Sequence, residues 1–440
     1  VENKYCLESL EKELRKKCDA FEICYSDSHN SGIGFENNKL FSMENNYSSG
    51  LGIRLVKNGK IGFSFTTNPE KIKETVGYAI ESSKYGERAL FELPCRRNKK
   101  REVKTYDENV EKIDLKKRIS FGKQIIRQIN SEIPDLNISL GFSKTIDNFV
   151  LINSNGVRLE DKSSEYSFGI TLLSVNEKKG LLDISESKSR ANIITDEEIG
   201  GMIKTLKTRY NKANKTAKIK QGAYPAIFNK YSVGILYSCF LAAINGKTFQ
   251  KGISPLSDKI NKKIIDSRIT MRDNPFIDYM SGSAEFDAEG LPAYEKPLIE
   301  KGVFKNFIFD LKTASLVNKK STANAARSFA SQPQPSFTNI TVDAGETDYS
   351  KMISDIDEGI LIEQAIGAGQ SNTLAGDFSV NIDLGYLIKN GKISGRVKDC
   401  MIAGNVYDLF NDIKCLSKDL FYKSSMITPA VCFNKINVAV

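Results

Sequence analysis

Gly52-Ile53-Arg54-Leu55-Val56-Lys57-Asn58-Gly59-Lys60-Ile61-Gly62-Phe63-Ser64-Phe65 sets two apolar runs on either side of Lys57-Asn58-Gly59-Lys60. Asn-Gly supplies the two positive-φ residues of a type I′ turn, whose twist matches that of paired strands. The stretch therefore predicts a β-hairpin. The same signal returns in Leu387-Ile388-Lys389-Asn390-Gly391-Lys392-Ile393, and Lys301-Gly302 stands between two further apolar runs. Asn155-Gly156 marks another turn. Many hairpins with few helices mean mainly antiparallel sheet, so the expected fold class is α+β. The hairpins follow no fixed period, which excludes a solenoid.

Outward from the first hairpin, Leu7, Leu10 and Leu14 recur at helical spacing and predict an opening amphipathic helix. Phe21, Ile23 and Tyr25 alternate as in a strand. After the hairpin, Asn68 is placed to cap a helix with Pro69 at its first position and Gly86 at its end. Residues 93–109 are polar and basic, with Pro94 among them. A helix is expected near residues 114–129, strands over 137–142 and 166–175, and a helix near 196–210. A second polar stretch covers 211–221. Then 223–228 reads as a strand, and Asn229 as the cap of a helix over 230–244 with Gly246 near its end. A short helix is expected from about Tyr349 to Glu358, stopped by Gly359. The expected layout is an N-terminal helix and hairpin-sheet domain (1–92), a middle segment mixing helix and strand (110–215), and a C-terminal, mainly antiparallel β domain with few helices (222–440).

Composition narrows the classes. The chain has 440 residues, 40 % of them hydrophobic, and a net charge of +9. The densest basic run is Arg96, Arg97, Lys99, Lys100 and Arg101. No aromatic residue interleaves it, so a solvated connector is preferred to a nucleic-acid patch. No two of the eight cysteines form C-x-x-C, which removes zinc-ribbon and thioredoxin-type readings. Dispersed cysteines in a large chain act as small buried apolar residues in a reducing compartment. Val1-Glu2-Asn3-Lys4 has no apolar leader character, and the apolar stretch 233–244 is broken by Ser238 and too short for a membrane. A cytoplasmic protein is expected.

His29 is the single histidine. Ser-His-Asp and Cys-His mechanisms need a histidine base, and a catalytic zinc mostly uses histidine ligands. His29 sits in polar Ser26-Asp27-Ser28-His29-Asn30, which reads as a surface turn. There is no G-x-S-x-G elbow and no Rossmann fingerprint. Gly367-Ala368-Gly369-Gln370 lacks the Lys-Ser/Thr of a P-loop. The best acidic cluster is Glu285, Asp287 and Glu289. Alternation places the three on one face of a strand, read first as a solvated face and second as an acid/base pair or a magnesium or calcium site.

Several segments together resemble the TldD/PmbA family. They are Phe286-Asp287-Ala288-Glu289-Gly290, Ile299-Glu300-Lys301-Gly302-Val303-Phe304-Lys305-Asn306-Phe307, Ser321-Thr322-Ala323-Asn324, Gly359-Ile360-Leu361, Ala375-Gly376-Asp377-Phe378-Ser379, the Asn390-Gly391 hairpin and Ile402-Ala403-Gly404-Asn405. Gly52-Ile53-Arg54 with its hairpin and Asn153-Ser154-Asn155-Gly156-Val157 extend the likeness over nearly the whole chain. The resemblance implies a peptidase system of two related subunits. The TldD type carries H-E-x-x-x-H on the first helix of its third domain and binds zinc. The PmbA type, also called TldE, lacks the motif and pairs with it. Here Ser238 and Ala243 stand at the two histidine positions and Cys239 at the glutamate. The family's C-terminal ligand cysteine has no match around Ser424-Ser425-Met426. Cys239 itself, beside Phe240 and Leu241, reads as a core residue.

What the resemblance implies is a metal-free subunit of a zinc metallopeptidase acting on peptides or unfolded proteins. It carries no cofactor of its own, and zinc is expected on a TldD-like partner. The chain alone is expected not to be catalytic. Asp287, Glu289, Gly290, Asn324, Gly376 and Asp377 are the peptide-binding candidates, with the peptide added as a strand to a sheet edge. One rival is a non-enzymatic binding or regulatory protein of the DNA gyrase modulator type, with salt-sensitive binding. Another is a homodimeric peptidase with a carboxylate metal site. Neither a membrane nor a nucleic acid is an expected partner.

Overall fold

The computed structural model describes residues 7–95, 101–176, 180–367 and 372–440. Cys6, the basic residues Arg96, Arg97, Lys99 and Lys100, and Ala368 to Gln370 lie outside them. The Asn58-Gly59 turn forms as its sequence dictates, with φ of 51° and 71°. It joins β2 (Lys39–Lys57) to β3 (Lys60–Thr66). With β1 (Ala20–Glu36), β4 (Asn137–Asn153), β5 (Arg158–Asn176) and β6 (Gly180–Arg190) they make one antiparallel sheet, in the order β3-β2-β1-β4-β5-β6. The pairing of β1 with β4 joins the strands from either side of residues 93–109 into that single sheet.

Alternation decides which side of this sheet each residue meets. Phe21, Ile23 and Tyr25, with Leu51, Ile53 and Leu55, pack on α1 (Leu7–Lys17) and α2 (Ile72–Tyr85). Leu7, Leu10 and Leu14 complete that core, each worth about 1.5–3 kcal/mol on full burial. The intervening residues Glu22, Cys24, Gly52 and Arg54 belong to the opposite face. Glu22, Cys24 and Arg54 are also buried, because the C-terminal unit covers that face. Hence five consecutive residues, Phe21 to Tyr25, are buried where alternation alone predicts three. Asn68 accepts from the Glu70 N–H at 2.9 Å and starts a 3-10 turn that leads into α2. α3 (Leu115–Glu132) and α4 (Asp196–Ala213) cover the β4–β6 part, and Thr195 and Glu198 form a capping box at α4.

The C-terminal unit closes on itself. β7 (Gly222–Phe228) pairs with Glu358–Ile366 in parallel. That strand pairs with Asp377–Lys389, then Met401–Asn405, then Met426–Ala439, which returns to β7. The ring is a barrel. Glu358–Ile366 and Met426–Ala439 each bury a run of consecutive residues, so both of their sides meet core. Ala226, Phe228, Val431 and Phe433 join the core around α5 (Val233–Ile244), while Ile227, Ala430 and Cys432 join the core beneath α4.

Four local expectations change. His29 is exposed as expected, but it lies inside β1, opposite Tyr47 and Ile146, not in a turn. The helix expected from residue 230 begins at Val233, because Asn229 first forms a turn that Ser232 closes. The helix expected to reach Glu358 is Tyr349–Ser354, and Glu358 already belongs to the following strand. Glu285, Asp287 and Glu289 do not share a solvated strand face. The segment turns sharply, with Gly290 at φ +85° and Asp287 accepting from the Glu289 and Leu291 N–H groups at 3.0 and 2.9 Å. Among the described residues no helix is long and apolar enough to cross a membrane.

Candidate functional site

Two places collect the singled-out residues. The first is a buried polar layer between the sheet and the C-terminal unit. Glu22 and Arg54 are directly opposed on β1 and β2. The Arg54 guanidinium bonds Glu22 and reaches across to Glu289 Oε1 at 2.7 Å, with the Phe91 ring 5.0 Å from its centre. Glu289 Oε2 accepts from the Leu311 N–H at 2.8 Å. Arg327, whose side chain is wholly buried, stands 3.5 Å from Glu22. Burial works against the Arg54 cation, but Glu22 and Glu289 outweigh it and keep the guanidinium charged. Burial pushes the Glu289 carboxyl up. Arg54 opposes that shift, while Glu22, Asp287 and Asp310 add to it. Burial also raises Asp287, against the N–H groups of Leu291, Ala325 and Glu289. Carboxylates outnumber guanidiniums in this layer, and the excess favours a proton held on Glu289.

Asn324 lies in an adjoining knot. Lys296 Nζ donates to Asp273 Oδ2 at 3.1 Å and to Asn324 Oδ1 at 3.0 Å, and Asn324 Nδ2 donates to the same Asp273 oxygen at 2.7 Å. Burial depresses the Lys296 ammonium, and Asp273 resists. Asp287, Glu289, Gly290 and Asn324 are thus brought together. Most of their polar atoms serve the fold's own bonds. Gly290 approaches so closely that an added Cβ would sit 2.9 Å from Val157 Cγ1. In front of this layer opens a cavity of about 550 Å³. Phe149, Leu159 and Phe286 wall it, Glu285 and Asp161 add carboxylates, and Asp287 and Gly290 form its rear.

The second place is α5. Its buried residues Val233, Leu236, Tyr237, Phe240, Ala243 and Ile244 follow helical spacing. Ser238 is exposed and donates to the Ile235 carbonyl at 2.6 Å. Cys239 is buried, with its thiol pushed up by burial, so it behaves as the core residue its apolar neighbours suggest. Ala243 is fully buried. Residues five apart lie about 140° apart around a helix, so Ser238 and Ala243 point differently. A zinc site needs three or four convergent His, Cys, Asp or Glu donors. Ala243 has no donor, the Ser238 hydroxyl turns back on its own helix, and the Cys239 thiol is held protonated. These residues do not fit a zinc ion. Among the described residues no group of three or more His, Cys, Asp and Glu is placed to hold a metal. Gly376 and Asp377 belong here rather than to the first place. Asn405 Nδ2 donates to Asp377 Oδ1 at 2.9 Å, and Tyr407, against Gly376, packs edge-on to Phe240 of α5 at 5.2 Å.

Sequence reading missed Glu22, Arg54 and Arg327. Glu22 within Phe21 to Tyr25 and Arg54 within Gly52 to Val56 each interrupt an apolar run. A charge inside a run expected to be buried implies a partner. A second cluster was missed as well. Arg209 of α4 bonds Glu363 Oε2 at 2.8 Å and Glu186 Oε1 at 3.1 Å, and its guanidinium lies 3.8 Å from the Tyr231 ring centre. This pins α4, β6 and the approach to α5 together.

Comparison with known proteins agrees with this architecture. Residues 221–440 match the PmbA/TldA metallopeptidase C-terminal domain, and residues 21–83 match PmbA/TldA metallopeptidase domain 1. An uncharacterized protein of Methanocaldococcus jannaschii is 30 % identical over 434 residues, covering 97 % of this chain and 98 % of its own. A metalloprotease TldD homolog of Buchnera aphidicola is 25 % identical over 438 residues, covering 94 % and 88 %. The crystal structure of TldE from Thermococcus kodakarensis superposes with a TM-score of 0.90 at 23 % identity, covering 99 % of this chain and all of that one. Matched in sequence along nearly its whole length and in fold throughout, the chain belongs to the PmbA/TldD metallopeptidase family.

Proposed function

We propose that this chain is the metal-free subunit of a two-subunit zinc metallopeptidase, with zinc and the glutamate base supplied by a TldD-like partner. The observation that carries the reading is the donor set on α5. By the resemblance, Ser238, Cys239 and Ala243 take the positions of the zinc subunit's motif. One is exposed and hydrogen-bonded to its own helix, one is a buried thiol, and one has no donor atom. The chain's own part is to bind an extended peptide or unfolded segment. The cavity of about 550 Å³ in front of Asp287 and Gly290 offers an apolar wall from Phe149, Leu159 and Phe286. The rigid layer of Glu22, Arg54, Glu289 and Asn324 behind it holds that wall in place. Gly376 and Asp377, beside α5, form the rim toward the partner.

The test is peptide hydrolysis with this chain alone, with a TldD-like subunit alone, and with both. Cleavage by the pair, inhibited by chelation and absent from this chain alone, supports the reading. Cleavage by this chain alone after metal depletion refutes it. Salt-sensitive DNA binding without cleavage by the pair would favour the regulatory alternative.

A further inference from the structure

Cys415 and Cys432 face each other across the antiparallel pair Ile413–Lys423 and Met426–Ala439. Ile413 opposes Phe433 and Cys415 opposes Cys432, so Lys414 is the extra residue of a β-bulge beside them. Opposed residues on paired strands bring their Cβ atoms to about 4.5–5.5 Å, and a disulfide needs about 3.5–4.5 Å. A bulge disrupts the ladder and bends its strand, so fewer ladder bonds oppose the shift that closes this gap. Cys415 packs against the buried cluster that contains Cys432, whose thiol donates to the Phe433 carbonyl at 3.8 Å. Cys432 is fully buried, whereas Cys415 is only partly covered and open to a small oxidant.

The charges around Cys415 are mainly positive. Lys414 precedes it. Arg268 spans the bulge, donating to the Lys414 carbonyl at 2.8 Å and the Ile413 carbonyl at 2.6 Å, with Asp266 on its far side at 2.7 Å. The neighbouring Cys432, then Thr347 and the Lys414 and Arg268 charges, outweigh burial and lower the Cys415 thiol to about 7. Cys432 is raised by its neighbour Cys415 and by burial. Burial raises the thiols of Cys24, Cys239 and Cys400 instead. A peroxide-reactive cysteine is an accessible thiolate beside a second thiol that resolves the first product.

We propose that Cys415 and Cys432 form a peroxide-reactive dithiol that closes reversibly to an intrachain disulfide. The Cys415 thiolate attacks one oxygen of hydrogen peroxide. The O–O bond breaks, Cys415 becomes a sulfenic acid, and the released hydroxide takes the proton that Cys415 lost, giving water. The Cys432 sulfur then attacks the Cys415 sulfur. The S–O bond breaks, the S–S bond forms, and the Cys432 proton leaves with a second water. The two thiols give up two electrons and one peroxide becomes two waters. The link falls on the strand that closes the barrel. It is one residue from Phe433, which packs on Phe410, which in turn packs on Tyr237 and Phe240 of α5.

The test treats the full chain with one equivalent of hydrogen peroxide at pH 7, blocks remaining thiols under denaturing conditions, and maps tryptic peptides. The expected product is Cys415–Lys418 linked to the peptide ending at Lys435. It should be two mass units below the sum of the thiol forms, abolished by dithiothreitol, and formed before the exposed Cys95 is oxidised. The Cys432→Ala variant should accumulate Cys415 sulfenic acid, trapped by dimedone, and the Cys415→Ser variant should give neither product. Alkylation of Cys415 in the untreated chain should follow a midpoint near pH 7. An unlinked pair with Cys95 oxidised first, or Cys415 passing to sulfinic acid while Cys432 stays free, would overturn the proposal.

Discussion

Replacing Arg54 with Met removes the centre of the buried layer while keeping most of the side-chain volume. The change deletes the bonds to Glu22 and to Glu289 and the packing on Phe91. Both carboxylates stay fully buried, and the Arg327 guanidinium, 3.5 Å from Glu22, is the cation left beside them. Removing one partner of a buried ion pair costs about 3–5 kcal/mol, because it strands the other charge. At about 2.1 cal/mol/K per residue, 440 residues melting as one unit carry an unfolding entropy of about 0.9 kcal/mol/K. The melting temperature should fall by about 3–5 °C. The pH dependence has a definite sign. Glu289 is raised in the folded chain, so the folded state holds a proton that the unfolded state has released. Its stabilising contribution is full below the unfolded value, about 4.3, and is lost as pH rises toward the folded value. Arg54 opposes the raising. Without it, Glu289 rises further and the window widens upward. The deficit of the variant should therefore be larger at pH 8 than at pH 5.5, with a limiting slope of about 1.4 kcal/mol per pH unit for one proton. Urea unfolding followed by far-ultraviolet circular dichroism at both pH values measures it. A cost below about 1 kcal/mol at pH 8, or a larger cost at pH 5.5, would refute the charge assignment.

Histidines at Ser238 and Ala243 of α5 should behave unequally. Ala243→His overpacks a fully buried site and should cost about 1–3 kcal/mol, whereas Ser238→His on the exposed face should stay within about 0.5 kcal/mol. Equal effects in thermal melts would mean that the helix faces are wrongly assigned. Gly52→Ala would place a Cβ 2.1 Å from the Phe329 carbonyl oxygen. It should loosen the C-terminal unit from β2, costing about 1–3 kcal/mol and raising amide exchange near Phe329. A neutral Gly52→Ala would contradict that contact. Arg209→Met should cost about 3–5 kcal/mol by stranding Glu186 and Glu363, and restoring stability by also changing Glu363→Gln would show the charge to be the cause.

Much of the local architecture was legible. Asn58-Gly59 and Asn390-Gly391 carry positive φ at both residues, as their chemistry requires, and Lys301-Gly302 does the same. Leu7, Leu10 and Leu14 predicted α1 because its one buried face follows the helical period. What stayed hidden was tertiary. β1 and β2 run 17 and 19 residues, much farther than their apolar segments, because Ser26 to Asn30 and Asn46 to Gly50 pair through backbone bonds with little apolar signal. That is why His29 read as a turn. Asp287 and Glu289 read as solvated because nothing near them in the chain announces a partner. Arg54 lies 235 residues from Glu289. α5 was readable as a helix, and helical spacing sets Ser238 on its exposed side and Ala243 in the core.

The division of labour between subunits is tested most directly by counting zinc. The chain should be purified alone and again after co-expression with a TldD-like subunit, with metal content and peptide hydrolysis measured on both. The expected result is no stoichiometric zinc and no hydrolysis for the chain alone, and a stable heteromer with zinc bound through the partner. One zinc retained per chain by the isolated protein after dialysis, with peptide cleavage, would contradict it.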